Sequence, residues 1–192
     1  MARKYLFLCL LLLLAIPALA WSDNNLVVNG DLSMDWDKTG LPDYWTINWI
    51  FANSPNKATM DKSINIDGNA SLKIVVSSLD VPNNFAGRVY QDVPVEAGKT
   101  YEISVWLKLD NWQLPKGQEV GGINISYWLQ GTNKQWNDRK DLTTPLNGTF
   151  DWREIKATIK IPPKTQALRV ALFAYPGTGT VWFDNGKMVE VK

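Results

Sequence analysis

Apolar and polar side chains alternate with a period of two along most of this chain, and no stretch carries the three-to-four-residue spacing of a helix. That pattern restricts the fold to β-strands with one face in a core and one outside. Thr100 to Leu109 is the clearest case. Tyr101, Ile103, Val105, Leu107 and Leu109 point one way, and Glu102, Ser104, Trp106 and Lys108 the other. The same alternation predicts strands over 71–76, 88–95, 122–130, 152–161, 168–175 and 180–191. Turn compositions separate them, among them Glu96-Ala97-Gly98-Lys99, Asn147-Gly148, Pro162-Pro163-Lys164 and Pro176-Gly177-Thr178-Gly179. Trp45 to Phe51 also alternates, but both of its faces hold apolar residues. The expectation is an all-β chain.

The first twenty residues are set apart from this pattern. Arg3 and Lys4 precede an apolar run from Leu6 to Ile16, and Ala18-Leu19-Ala20 supplies small residues for cleavage, the arrangement of an export signal. We therefore divide the chain into a signal peptide, 1–20, and a single domain, 21–192, expected to be secreted or periplasmic. The run is short for a bilayer span, so no membrane association is expected after cleavage. The lone cysteine, Cys9, lies inside the signal, so the domain needs a core or a metal ion rather than disulfides to hold it. The chain has 20 Lys and Arg against 19 Asp and Glu; without Arg3 and Lys4 the balance is 18 to 19, or −1. That removes the basic excess on which non-specific nucleic-acid binding depends.

Ten tryptophans and no histidine remain to be explained. An indole ring can cover the C–H face of a sugar while amide, hydroxyl and charged groups take its hydroxyls. Some of the ten must be core, since Trp buries a large apolar area. In the 122–130 strand, Asn124, Ser126, Trp128 and Gln130 share the face opposite Ile123, Ile125, Tyr127 and Leu129. This row combines a stacking ring with amides and a hydroxyl, and Trp128 is the first candidate for stacking. Trp106 lies in a similar row, and Arg169, Ala171, Phe173 and Tyr175 form a third. Arg88 and Tyr90 on one face of their strand, and Gln91 on the other, are candidates to reach ligand hydroxyls. Trp112 and Trp136 fall in long polar segments, 111–121 and 131–149, that read as loops. There they either reach a ligand or fold back over the core.

The opening Asn25-Leu-Val-Val-Asn29-Gly30-Asp31-Leu32, followed by Pro42-Asp43-Tyr44-Trp45, resembles the start of family 4/9/22-type carbohydrate-binding modules. Further similar motifs follow in order: Gly68-Asn-Ala-Ser71-Leu72, Val89-Tyr90-Gln91, Ala97-Gly98-Lys99-Thr100-Tyr101, Trp106-Leu107-Lys108 and Val181-Trp182-Phe183-Asp184-Asn185. The resemblance implies a jelly-roll β-sandwich of two antiparallel sheets with a galactose-binding-like topology. It also implies that the candidate rows line one sugar-binding groove, or that loop tips bind chain ends. It implies a structural calcium as well, with Asp31 and Asp184 as acidic ligands and Gly68 and Ser71 nearby. Ser33 stands where the family commonly has Glu, which removes one carboxylate from that set.

The function expected is non-catalytic binding of a polysaccharide or oligosaccharide, with separately made carbohydrate-active enzymes as partners. Two other classes stay open. A small jelly-roll glycoside hydrolase needs only two carboxyl groups across a cleft. Of the five Glu, Glu96 lies in a turn, Glu119 in a loop and Glu190 beside the terminus, which leaves Glu102 and Glu154, and no pair stands out. A structural or adhesive domain would instead show an exposed apolar patch. Three sequons, at Asn69, Asn124 and Asn147, matter only in a host that glycosylates. Glycosylation at Asn124 would conflict with the candidate row.

Overall fold

Alternation becomes two five-stranded antiparallel sheets in the computed structural model, which describes residues 24–48, 56–78, 88–117, 122–174 and 177–191. The segment expected to be an export signal, 1–20, lies outside the described residues, as do Trp49 and Tyr175. The strands are β1 (Thr46–Asn48), β2 (Lys57–Asp61), β3 (Ser71–Val76), β4 (Arg88–Pro94), β5 (Thr100–Gln113), β6 (Ile123–Gly131), β7 (Trp136–Asp141), β8 (Gly148–Lys160), β9 (Thr165–Ala174) and β10 (Thr178–Val191). The first sheet is ordered β1-β4-β9-β6-β7 and the second β2-β3-β10-β5-β8. Their inner faces meet in one apolar layer. Val89, Leu172 and Ile125 of the first sheet pack with Leu72, Leu107 and Phe183 of the second, as a jelly-roll sandwich requires.

The opening motif explains how the chain enters this sandwich. Leu26 N donates to Met188 O of β10, and the Asn25 amide bridges Gly186 O and Met188 N. On the opposite side Gln91 clamps Val28, accepting from its N–H at 2.8 Å and donating to its carbonyl at 2.9 Å. Gln91 thus points inward and is buried, so it holds the leading segment and is not a ligand contact. Asn29 adopts φ 52°, a conformation that Asn tolerates better than most residues. Its amide donates to Met34 O and Asp43 O and accepts from Met34 N. Trp45 donates its indole N–H to Asn29 O and packs against both halves of the core. Gly30 is required here because a Cβ would fall 2.1 Å from Gly186 O.

Trp112 corrects the sequence reading. It was expected in a loop, but β5 runs on to Gln113, and register shifts between Leu107 and Leu109 and between Leu109 and Trp112 turn the indole inward. Asn111, at φ 50°, makes that irregularity. Trp112 is only 1% exposed, and Gly177 and Gly179 are the residues that leave room for it. A fully buried ring cannot stack on a ligand.

Candidate functional site

Register fixes what shares the outer face of the first sheet. Arg88 of β4 faces Phe173 of β9, which faces Asn124 of β6. Two residues further along β4, Tyr90 continues through Ala171 and Ser126 to Asp141 of β7. Next come Asp92, Arg169 and Trp128, then Ala167, Gln130 and Trp136. The alternation that sends Leu168, Val170 and Leu172 inward sends Arg169, Ala171 and Phe173 out, so these rows lie on one surface. Arg88, Tyr90, Asn124, Ser126, Trp128, Gln130, Trp136 and Phe173 therefore lie on one face, with Trp136 on β7 rather than in a loop.

They do not all meet solvent. Trp128, Trp136, Tyr90, Arg88 and Gln130 are half-buried, whereas Asn124, Ser126 and Phe173 are covered. Ser126 donates to Asp141 at 2.6 Å, and Asn124 accepts from Thr143 at 3.0 Å. These two side chains fasten the β6 to β7 edge and are not free for hydroxyls of a ligand. Burial of Asn124 also removes its sequon as an acceptor in the folded protein, so the conflict with glycosylation falls away. Phe173 lies under Trp128, with ring centroids 5.1 Å apart and planes at 43°, and sets the angle of the indole.

Guanidinium groups are interleaved with the rings. Arg169 lies over Tyr90 at 4.0 Å and Trp136 at 4.4 Å while paired with Asp92. The Asp92 hydrogen bond holds its pKa above the ordinary arginine value. Arg139 lies over Phe173 at 4.9 Å and Trp128 at 5.5 Å and pairs with Asp141 at 3.0 Å. No pattern in the sequence points to Arg139 or Asp141. β7 is an edge strand, polar on both faces, so it shows no alternation and read as loop. Trp36 and Tyr44 form a second exposed aromatic pair that no alternating row contains. They are 71% and 53% exposed, and they meet edge to face at 5.9 Å in the loop before β1.

Trp106 sits elsewhere. It belongs to the outer face of the second sheet, opposite Glu154 and Asp184, in a concavity shared with Asp31, Asp67 and Lys187. The hydrolase candidates Glu102 and Glu154 are on that sheet too, away from Trp128. Among the described residues this face carries Asp92 and Asp141, each paired to an arginine, on strands three spacings or about 14 Å apart, wider than the roughly 5 to 9.5 Å between glycosidase carboxyl groups.

The nominated metal residues are only partly assembled. Asp184 is fully buried, and burial together with the nearby Asp67 and Asp31 carboxylates pushes its pKa up to about 6, against hydrogen bonds from Ile66 N and Asn185 N. Ser71 spends its hydroxyl on Ile64 O, and Gly68 N donates to Asn65. The Asn69 amide lies within 3.4 Å of both Asp31 and Asp67. Among the described residues no three carboxylate, His or Cys side chains converge as a metal cluster. The excess of negative charge fits a cation, but the side chains do not form a coordination shell.

Comparison with known proteins agrees with this architecture. No curated protein matches the chain at a significant level. The domain of bacteriophage CBA120 tailspike protein 4 described as enzymatically active superposes with a TM-score of 0.64 at 13% identity, covering 87% of this chain and 21% of that one. The CBM22-1–GH10 modules of Clostridium thermocellum xylanase 10B, complexed with xylohexaose, superpose at 0.60 and 16%, covering 88% and 29%. The chain thus spans under a third of either larger protein. A CBM4 structure superposes at 0.55 and 19%, covering 86% of this chain and 99% of its own. At such identities these likenesses concern the fold. Residues 28–188 match the family model CBM_4_9_1, described as BppA domain 1, and the chain accordingly belongs to the CBM_4_9 family of carbohydrate-binding modules.

Proposed function

We propose that this module is exported and binds a polysaccharide chain across the outer face of the first sheet, from β4 to β7. Trp128, Trp136 and Tyr90 stack on sugar faces, and Gln130, Arg88 and Arg139 take hydroxyls. The observation that carries this reading is the gathering of accessible rings and guanidinium groups on one sheet face. Flat rings cover C–H surface without demanding one sugar, and the polar groups at their edges orient it. The test is affinity electrophoresis against a panel of soluble polysaccharides, with reducing-sugar release followed in the same samples. Retardation without release, lost in Trp128→Ala, is expected. Retardation unchanged in that variant overturns the site, and sugar release overturns the non-catalytic reading.

Calcium enters this reading as a support for the fold. With Asp67, the nominated Asp31 and Asp184 crowd negative charge at the junction of the opening segment and β10, which a hard cation bound by oxygen ligands would offset. Chelated protein titrated with calcium should gain several degrees in Tm; an unchanged Tm removes the ion from the account.

A further inference from the structure

Among the described residues three arginines stand on the outer face of the first sheet, and two of them are neutralised within it. Arg169 makes a two-pronged pair with Asp92 at 2.6 and 2.7 Å, and Arg139 pairs with Asp141. Arg88 differs. Its guanidinium lies 5.3 Å from the Tyr90 ring, 5.6 Å from Phe173 and 5.8 Å from Trp128, with no carboxylate among the described residues paired to it. Its Nε is buried and makes no hydrogen bond.

A guanidinium carries five N–H donors and no acceptor. Polar groups taken out of water nearly always find a partner, and one without is a feature that needs an explanation. The three rings attract the charge through their faces but accept none of its in-plane N–H groups. Among the described residues the face holds Arg88, Arg139 and Arg169 against Asp92 and Asp141, so one positive charge is left over among them, at the ring cluster where the sugar would stack. Hydroxyls of a neutral sugar would accept from the donors and leave that charge uncompensated. A carboxylate answers both, because its two oxygens fit the guanidinium fork, as Asp92 does with Arg169 on the same face.

We infer that the groove takes an acidic glycan, one bearing carboxylate groups as uronic acids do, and that Arg88 is the residue that selects the charge. This rests on the groove being the glycan site. A carboxylate seated beside Trp128 would draw the Arg88 side chain from its ring cluster into a bidentate pair, supplying the partner its Nε–H lacks.

The test uses the purified protein and matched pairs of probes: polygalacturonate with its methyl-esterified form, and alginate, hyaluronan and glucuronoxylan each with its carboxyl-reduced form. Binding is followed by isothermal titration at low and high salt. At least one acidic member should bind about tenfold or more tighter than its neutral partner, the range of a charge-assisted hydrogen bond. Added salt should narrow that gap. Arg88→Met should bring the acidic probe down to its neutral partner, and Arg88→Lys should keep part of the preference, with thermal melting confirming that both variants fold. Equal binding of both members of every pair, unchanged in Arg88→Met but lost in Trp128→Ala, overturns the acidic preference and leaves the groove in place. No binding to any probe, acidic or neutral, overturns both.

Discussion

Arg169 joins Tyr90 and Trp136 across the outer face of the first sheet. Its guanidinium is gripped edge-on by both Asp92 oxygens while its faces meet Tyr90 and Trp136. The pair is partly exposed, so its worth lies less in stability than in holding two rings at a fixed separation. Asp92→Ala should leave Tm nearly unchanged while weakening binding of whichever glycan is retained by about tenfold, the scale of a lost charge-assisted contact. Titration of wild type and variant with that glycan, alongside melting curves, separates the two effects.

Trp128 and Trp106 were both nominated from alternating rows, yet they sit on opposite outer faces of the sandwich. Trp128→Ala is expected to abolish retardation in affinity gels. Trp106→Ala is expected to leave it intact, and equal losses would move the site or spread it over both faces.

Asn29 spans the loop that leads into β1 with three side-chain hydrogen bonds. Asn29→Ala removes all three and puts Ala at a positive φ, so the fold should lose about 3 kcal/mol at roughly 1 kcal/mol per bond. Urea unfolding measures it. A loss below about 1 kcal/mol would mean the loop is held mainly by Trp45.

Asp184 gives stability a definite pH slope in calcium-free protein. Its folded pKa, about 6, lies above the ordinary 3.8, so between those values the folded chain keeps a proton that the unfolded chain has released. Its contribution is fully present below pH 3.8 and is lost as pH rises through 6. The loss totals about 3 kcal/mol at 1.36 kcal/mol per pKa unit. Subtracting the profile of Asp184→Asn cancels the other carboxylates. A difference that is flat from pH 4 to 7 would show that Asp184 stays ionised throughout.

The long strands were legible because each has one wet and one dry face. The buried alternation from Tyr101 to Leu109 marks β5, and Leu168, Val170 and Leu172 mark β9. β7 was not legible, since Asn137, Asp138, Arg139 and Lys140 are all exposed on an edge. With it went Arg139 and Asp141, which border Trp128 and Ser126 in the candidate site. Trp112 was misread because a bulge changes the parity of β5 near its end, and no local pattern shows a bulge. Asn124 and Ser126 were assigned to the correct face. Their burial depends on β7, Thr143 and the rings above them, and is decided by the whole sheet.

The division of tryptophans between core and groove also provides a built-in optical reporter. Trp112 and Trp182 are sealed from solvent, while Trp128 and Trp136 sit half-open beside guanidinium groups. A glycan settling on that face would dry the open indoles and leave the sealed ones as a steady background. Intrinsic fluorescence should then shift with occupancy of the groove, with no label on protein or sugar.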